Sequence, residues 1–513
     1  MKIKSKFASL TCEIFSRVRL AFCKFCLFQE CPSAIKAVVN LKKQGSLFSN
    51  TVILGVAAFL SKAAVFFLMP FYTAYLSPSD FGVADLLVTT ALFLLPFVSL
   101  NMPEAIFRFL AGGEHDKREV VSVGILFLLP GFLLLFLVLP LSARSPLLFA
   151  YRYYFLCYVV ASISRSFLAH ILRAEGRYLL YAIQQVVCAL LTVLLQILFL
   201  SRLFKGAGGY LLGVIVADAT VAIFLLFLLR PWRYFSKKAI RRVRAREMLA
   251  YALPLMPTAV LWWITSISDR YFLLHYHGTE AMGLYAAASR IPTALTFLVG
   301  IFLEAWQYTA IGTGESKRAT RYGQIYAMLL PVGVGAAAGM LAIAYPLVCV
   351  IYAPEYRGAI AYIPLLTLSA LFSALSSFLS SIYAVKLKSS AALFTSLCGA
   401  SLNLVLNFML IPRFGGTGAA LATLLSYVLV FLVRALHTRS YLAFSRHFLK
   451  FTLSVLYLSL AALAVARGAY VIALLPAVLA PLPFFLEIAD GITLFLEKTR
   501  ALLKKRQKTA KRY

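Results

Sequence analysis

The residues of this chain able to do chemistry are charged and aromatic side chains set inside apolar runs. Lys62 stands near the middle of one such run with no acidic residue within a helical turn. An isolated ammonium at hydrocarbon depth costs about 3 kcal/mol or more, so Lys62 must face water, a partner or an anion, or else snorkel to the surface. Arg290 lies several residues into another run, and Glu304 follows it by fourteen positions, about 40° away around a helix. Arg290, Thr293, Phe297 and Glu304 therefore share a stripe. Either it lines a polar passage with Glu304 as a protonatable coupling site, or its charged ends are interfacial anchors.

Asp269 and Arg270 fall near the end of a third run, with Trp262 and Thr265 on the aspartate's face by helical spacing. Indole rings stack on sugars and a carboxylate accepts hydroxyl hydrogen bonds, although Asp269 could simply fix Arg270. Tyr151, Tyr154, Tyr158, Ser162 and Arg165 recur at three- and four-residue steps, a polar aromatic face suited to a glycan and a phosphate. The same pattern also fits an aromatic belt with Arg165 snorkelling. Asp218 has no basic neighbour in sequence; it is neutral, paired with Lys62 across a bundle, or a proton carrier. Arg108 sits at the end of its run, where arginine ordinarily anchors topology.

Long helices must position these groups. Hydrophobic residues make up 62% of the chain and the mean hydropathy is +0.86, more than a soluble core can hide. About fourteen stretches are long enough to cross a bilayer. The expected fold is an all-α polytopic membrane protein. Its net charge of +31 is spread over short gaps between spans, which fits a membrane surface rather than nucleic acid. Lysine and arginine concentrate in every second gap and both termini, including Arg241, Arg242, Arg244 and Arg246. The positive-inside rule puts both termini in the cytoplasm and the short loops 72–81 and 275–280 outside.

Residues 1–47 read as a basic cytoplasmic segment, with 8–28 an amphipathic helix on the inner leaflet, an unstructured tail or the product of an overlong gene start. Cys23 and Cys26, with Cys12 and Cys31 nearby, lack a partnering His or second CxxC, and His275 and His277 form too small a set. No metal or cofactor is assigned. Without a HExxH or P-loop pattern, the chain reads as a non-enzyme.

An internal repeat organises the rest. A shift of 210 residues places Cys188, Leu194, Leu200, Phe204, Gly206 and Gly208 on Cys398, Leu404, Leu410, Phe414, Gly416 and Gly418. A shift of 201 sets Gly82-Val83-Ala84 against Gly283-Leu284-Tyr285. The copies are six spans apart, so they share one orientation and are related by an axis along the membrane normal. The expected divisions are a six-helix N-lobe at 48–230, a basic cytoplasmic linker at 231–248, a pseudo-symmetric six-helix C-lobe at 249–436, two further helices within 437–489, and a basic tail at 490–513.

The run from Leu68 to Gly82, LMPFYTAYLSPSDFG, resembles the first-helix exit of Wzx-like bacterial polysaccharide flippases, a branch of the multidrug/oligosaccharidyl-lipid/polysaccharide exporter superfamily. Asn101-Met102-Pro103-Glu104 through Arg108 is similar to that family's second-helix end. Leu253-Pro254-Leu255-Met256-Pro257 with Ser268 to Phe272 is similar to its seventh helix, Gly283-Leu284-Tyr285 to the start of its eighth. Asn403, Asn407, Pro412, Gly415 and Gly418 match its eleventh-to-twelfth junction. The likeness covers about 45–440 and raises Arg108 from an anchor to a site candidate.

This resemblance implies transport of a polyprenyl-pyrophosphate-linked oligosaccharide, such as an O-antigen or lipopolysaccharide unit, from the inner to the outer leaflet of the bacterial inner membrane. It also implies membrane lipids as surroundings and, as pathway partners, glycosyltransferases and a glycan polymerase. Lys62, Arg108, Tyr154, Tyr158, Arg165, Trp262, Asp269, Arg270 and Arg290 are the cavity candidates, and Asp218 and Glu304 the coupling-ion candidates. A lipid II flippase is a near alternative. A multidrug antiporter would more naturally show unpaired carboxylates, and a membrane glycosyltransferase a large soluble domain or loop.

Overall fold

A computed structural model describes residues 47–111, 116–138, 140, 143, 145–311, 315–385, 389–439 and 448–485, with the side chains of 300–321 and some other positions outside that description. The N-terminal helix reading, the cysteines at 12, 23, 26 and 31, and the tail at 490–513 lie outside the described residues. So do the side chains of Trp262, Phe297 and Glu304.

The first half contains α1 (Leu47–Phe67), α2 (Met69–Tyr75), α3 (Pro78–Val98), α4 (Met102–Ala111), α5 (Lys117–Val138), α6 (Pro146–Ala150), α7 (Arg152–Ala174), α8 (Tyr178–Leu198) and α9 (Ala207–Leu229). The second contains α10 (Arg242–Ala252), α11 (Met256–Ile311), α12 (Glu315–Ile351), α13 (Ile363–Val385), α14 (Ser389–Thr438), α15 (Phe448–Ala466) and α16 (Tyr470–Leu479). Among the described residues, ten helices are long and apolar enough to cross a membrane. The chain is an all-α polytopic membrane protein.

Two apparent long helices are hairpins. In α11, Gly278 has φ 81° and ψ −175°, and Tyr285 donates its hydroxyl proton to Asp269 at 2.5 Å. Those residues would stand about 24 Å apart on a continuous helix, so arms 256–277 and 279–311 fold back on each other. In α14, Gly415 has φ 54°, and Arg434 on the second arm reaches Thr395 on the first at 3.1 Å. Gly206, with φ 77°, closes the longer connection between α8 and α9, which runs through a π-helical turn at Phe199–Leu203. Left-handed backbone without a Cβ penalty is what a one-residue turn such as those at 278 and 415 needs. The repeat aligns Gly206 with Gly416; the reversing glycine is one position earlier, at Gly415.

The apolar run at 82–107, which by sequence reads as one span, is broken in two. Leu100 and Asn101 both adopt positive φ, 48° and 52°, between α3 and α4, a conformation that costs non-glycine residues about 1–2 kcal/mol each. The linker is likewise structured in part: α10 buries Met248 and Ala252 in the first half's core.

Three apolar cores hold the bundle. One runs from Leu68 to Leu211 in the first half and from Leu273 to Ala420 in the second, uniting both halves around the turns at 76–77 and 278. The other two are separate, one confined to Ala91–Ala252 and one to Leu295–Phe484. Among the described residues, the core shared by both halves lies at one end of the bundle.

Candidate functional site

At the end with the shared core the two repeat-related helix starts cross. Ser77 caps α3, its Oγ accepting the Asp80 amide at 3.1 Å, with Pro78 at the first helical turn. Asp80 in turn accepts the Ala207 amide at 3.4 Å, which places a carboxylate at the N-terminus of α9. Gly82 and Gly283 then pack backbone to backbone: a Cβ added at Gly82 would lie 2.7 Å from the Gly283 nitrogen, and one at Gly283 would lie 1.7 Å from the Pro78 carbonyl oxygen. Ser79 donates to Thr279 at 2.7 Å beside that crossing. The two segments matched by the 201-residue shift are direct neighbours.

Beneath the crossing lies a cluster of charges from α3 and both arms of α11. Asp85 is 2% exposed and accepts from Arg270 Nε at 2.8 Å through one oxygen and from Arg290 through the other. Arg270 also donates to the Ser266 carbonyl at 2.8 Å. Asp269 lies 3.9 Å from Arg270 and takes the Tyr285 hydroxyl and the Arg270 amide. Such pairing offsets the several kcal/mol that each charge costs on leaving water. Arg290 is the open member, its side chain 31% exposed. Thr90 with Tyr271 at 2.5 Å, and Phe93 stacked on Trp263 at 4.6 Å, continue the contact between the halves.

A second cluster lies within the first half. The Asp218 carboxylate on α9 accepts from Arg165 at 2.8 Å, from the Cys188 thiol at 3.1 Å and from Ser162. Tyr158 is buried one turn from Ser162, and the Tyr154 hydroxyl lies against Gly208. The tyrosine face therefore turns toward α9, and Arg165 is held by a carboxylate rather than by the bilayer surface. Replacing Arg165 by Leu would leave Asp218 without a cation and is expected to cost about 3 kcal/mol of stability. Asp218→Asn in the same background should restore most of the loss, read as the melting temperature of the detergent-solubilised protein.

Of the cavity candidates, Asp269, Arg270 and Arg290 come together, and Tyr154, Tyr158 and Arg165 gather with Asp218. Lys62 lies on an exposed side of α1, and Arg108 is exposed on α4 outside both clusters. Arg290 pairs with Asp85. Sequence reasoning missed Asp85; the signal was an aspartate seven residues into an apolar helix with no cation nearby. It also missed Arg434, buried on the second arm of α14, and the hydrogen-bonded knot of Ser268, Asn403 and Asn407 that joins α11 to α14. Among the described residues no group of three or more His, Cys, Asp or Glu gathers at metal-binding distance.

Residues 47–306, half the chain, match the family described as polysaccharide biosynthesis protein. The chain belongs to this family. Two Methanocaldococcus jannaschii proteins named as uncharacterised membrane proteins, MJ1068 and MJ1375, are each 23% identical, covering 73% and 76% of this chain and 80% and 97% of their own lengths. Among solved structures, the lipid II flippase MurJ in an inward closed conformation superposes with a TM-score of 0.67 at 14% identity, over 86% of this chain and all of MurJ. An outward-facing multidrug resistance MATE family transporter of the MOP superfamily gives 0.55 at 15%, over 77% and 96%. A MOP superfamily transporter from Pyrococcus furiosus gives 0.55 at 14%, over 77% and 97%. This polysaccharide biosynthesis family member thus has the fold of the MurJ and MATE proteins.

Proposed function

We propose that the protein is a flippase that carries a polyprenyl-pyrophosphate-linked oligosaccharide from the inner to the outer leaflet of the cytoplasmic membrane, supplying surface polysaccharide assembly. The observation that carries this reading is a core that, among the described residues, is shared by both halves at one end of the bundle, with a half-open arginine at the junction. In the orientation that the positive-inside rule predicts, the joined end faces outward and the opposite end faces the cytoplasm, where the substrate is made. A pyrophosphate entering from that side meets Arg290 and competes with Asp85 for it. Drawing Arg290 away weakens the tie between α3 and α11, so binding of the anion is coupled to parting of the outer ends. An interaction that a ligand makes in one state and not the other is what shifts such an equilibrium. Lys62, near the middle of α1, adds a second cation for the headgroup. The polyprenyl tail stays in the bilayer throughout.

No hydrolysis is required of the chain itself. A membrane potential of about 100 mV supplies about 2.3 kcal/mol per charge moved, and a negative interior favours outward passage of an anionic headgroup.

Alanine at Arg290 or Lys62 tests the reading. Asp85 keeps Arg270 when Arg290 is removed, so protein abundance should hold while surface glycan falls at least tenfold, about 1.4 kcal/mol of lost coupling, and lipid-linked sugar accumulates inside. Normal glycan display by both variants would overturn the assignment. Reconstituted vesicles offered lipid II beside a polyprenyl-pyrophosphate oligosaccharide distinguish the two flippase substrates, and the oligosaccharide is expected to be moved faster.

A further inference from the structure

The open end of the α14 hairpin holds an arginine whose charge no described residue compensates. Arg434 is 8% exposed, and its guanidinium donates to three neutral oxygens: Thr395 Oγ1 at 3.1 Å, the Ser376 carbonyl at 2.9 Å and Ser396 Oγ at 3.0 Å. It forms no ion pair among the described residues. Thr395, on the far side of that contact, lines a cavity of about 560 Å³ together with Phe394, Val433, Leu436, His437 and Arg439.

The cavity is amphiphilic by position. Arg439 and His437 stand at the end of α14, where the chain leaves the apolar stretch, and the His437 ring is oriented by the Tyr383 hydroxyl at 3.1 Å. Phe394 and Leu436, 61% and 65% exposed, extend it along the flank of a helix apolar enough to span a bilayer. Two arginines with no carboxylate partner among the described residues set up a positive field, and fixed positive charge beside hydrocarbon favours an anion. Free phosphate would leave the carbon walls in contact with water. A phosphate that carries its own acyl chains satisfies both surfaces at once.

We infer that this cavity binds an anionic phospholipid, with its phosphate at Arg439 and His437, Arg434 supplying charge from behind Thr395, and an acyl chain along Phe394, Val433 and Leu436. The site is separate from Asp85 and Arg290, and it stands whether or not the chain is a flippase.

Native mass spectrometry of the full-length protein, mixed with equal amounts of phosphatidylglycerol and phosphatidylcholine, reads the inference directly. One retained phosphatidylglycerol is expected, preferred by about tenfold or more, since each basic residue near a lipid surface contributes about 1 kcal/mol. The double variant His437→Gln/Arg439→Gln should lose that preference. Val433→Trp, which fills the cavity and keeps every charge, should release the lipid. Melting temperatures near that of the parent protein confirm that both variants are folded, and Arg439→Gln alone, at an exposed position, serves if the double variant is not. Equal retention of the two lipids, an unchanged preference in the folded charge variant, or displacement of the lipid by millimolar inorganic phosphate or by a polyprenyl pyrophosphate would overturn the proposal.

Discussion

Replacing Asp85 by Leu is expected to cost about 3–5 kcal/mol and to remove most of the folded protein from the membrane. The carboxylate is buried and each of its oxygens takes an arginine, one from each arm of α11. Without it, two guanidinium groups remain at one junction with no shared counter-charge, Arg270 buried and Arg290 half-open. The loss is a large fraction of the roughly 5–15 kcal/mol that holds an ordinary domain together. Asp85→Asn keeps the shape and one acceptor oxygen, so it should fall between the parent protein and the leucine variant. Melting curves of the three proteins in one detergent, with membrane abundance measured alongside, check the order. A leucine variant as stable as the parent would show that the junction carries no net ionic stabilisation. Salt should change none of these differences much, because screening acts weakly on buried pairs.

The second large effect concerns motion rather than stability. Ser79 and Thr279 face each other at 2.7 Å across the crossing of α3 and the second arm of α11, close enough for cysteines to bridge. In a Ser79→Cys/Thr279→Cys variant, oxidation should cut transport at least tenfold and reductant should restore it, with either single cysteine unaffected. The reason is geometric: Gly82 and Gly283 touch through their backbones, so these helix ends cannot part while positions 79 and 279 are tied. Full turnover by the oxidised protein would mean that the substrate leaves without separating the two helices. Because oxidation leaves the Asp85 cluster chemically intact, this experiment separates gating from folding.

Much of the architecture was legible because the membrane writes strong rules into a chain. Apolar runs located the spans, and the glycine match at 82 and 283 identified two helix starts that prove to be in contact. What remained hidden is chiefly partnership. Helical spacing says which side of its own helix Arg290 occupies, but nothing local indicates that its counter-charge is Asp85, 205 residues away. Asp218 shows the same difficulty: its cation is Arg165, on a helix 53 residues earlier. The break at Leu100 and Asn101 was masked by hydrophobicity on both sides, although Pro103 in the first turn of α4 marked a new helix start. Arg434 was passed over because an arginine near a helix end reads as an anchor, and only its neutral hydrogen-bond partners reveal a different situation.

The glycine turns at 278 and 415 also limit how this protein can be handled. At 278 and 415 a reversal made by one residue leaves almost no non-helical chain between adjacent arms, so that part of the rim offers proteases little to cut. An epitope or reporter spliced there would have to pry apart packed hairpins, and its failure would report damage rather than sidedness. A lone cysteine at His277, probed with a membrane-impermeant maleimide, maps the same rim without lengthening it.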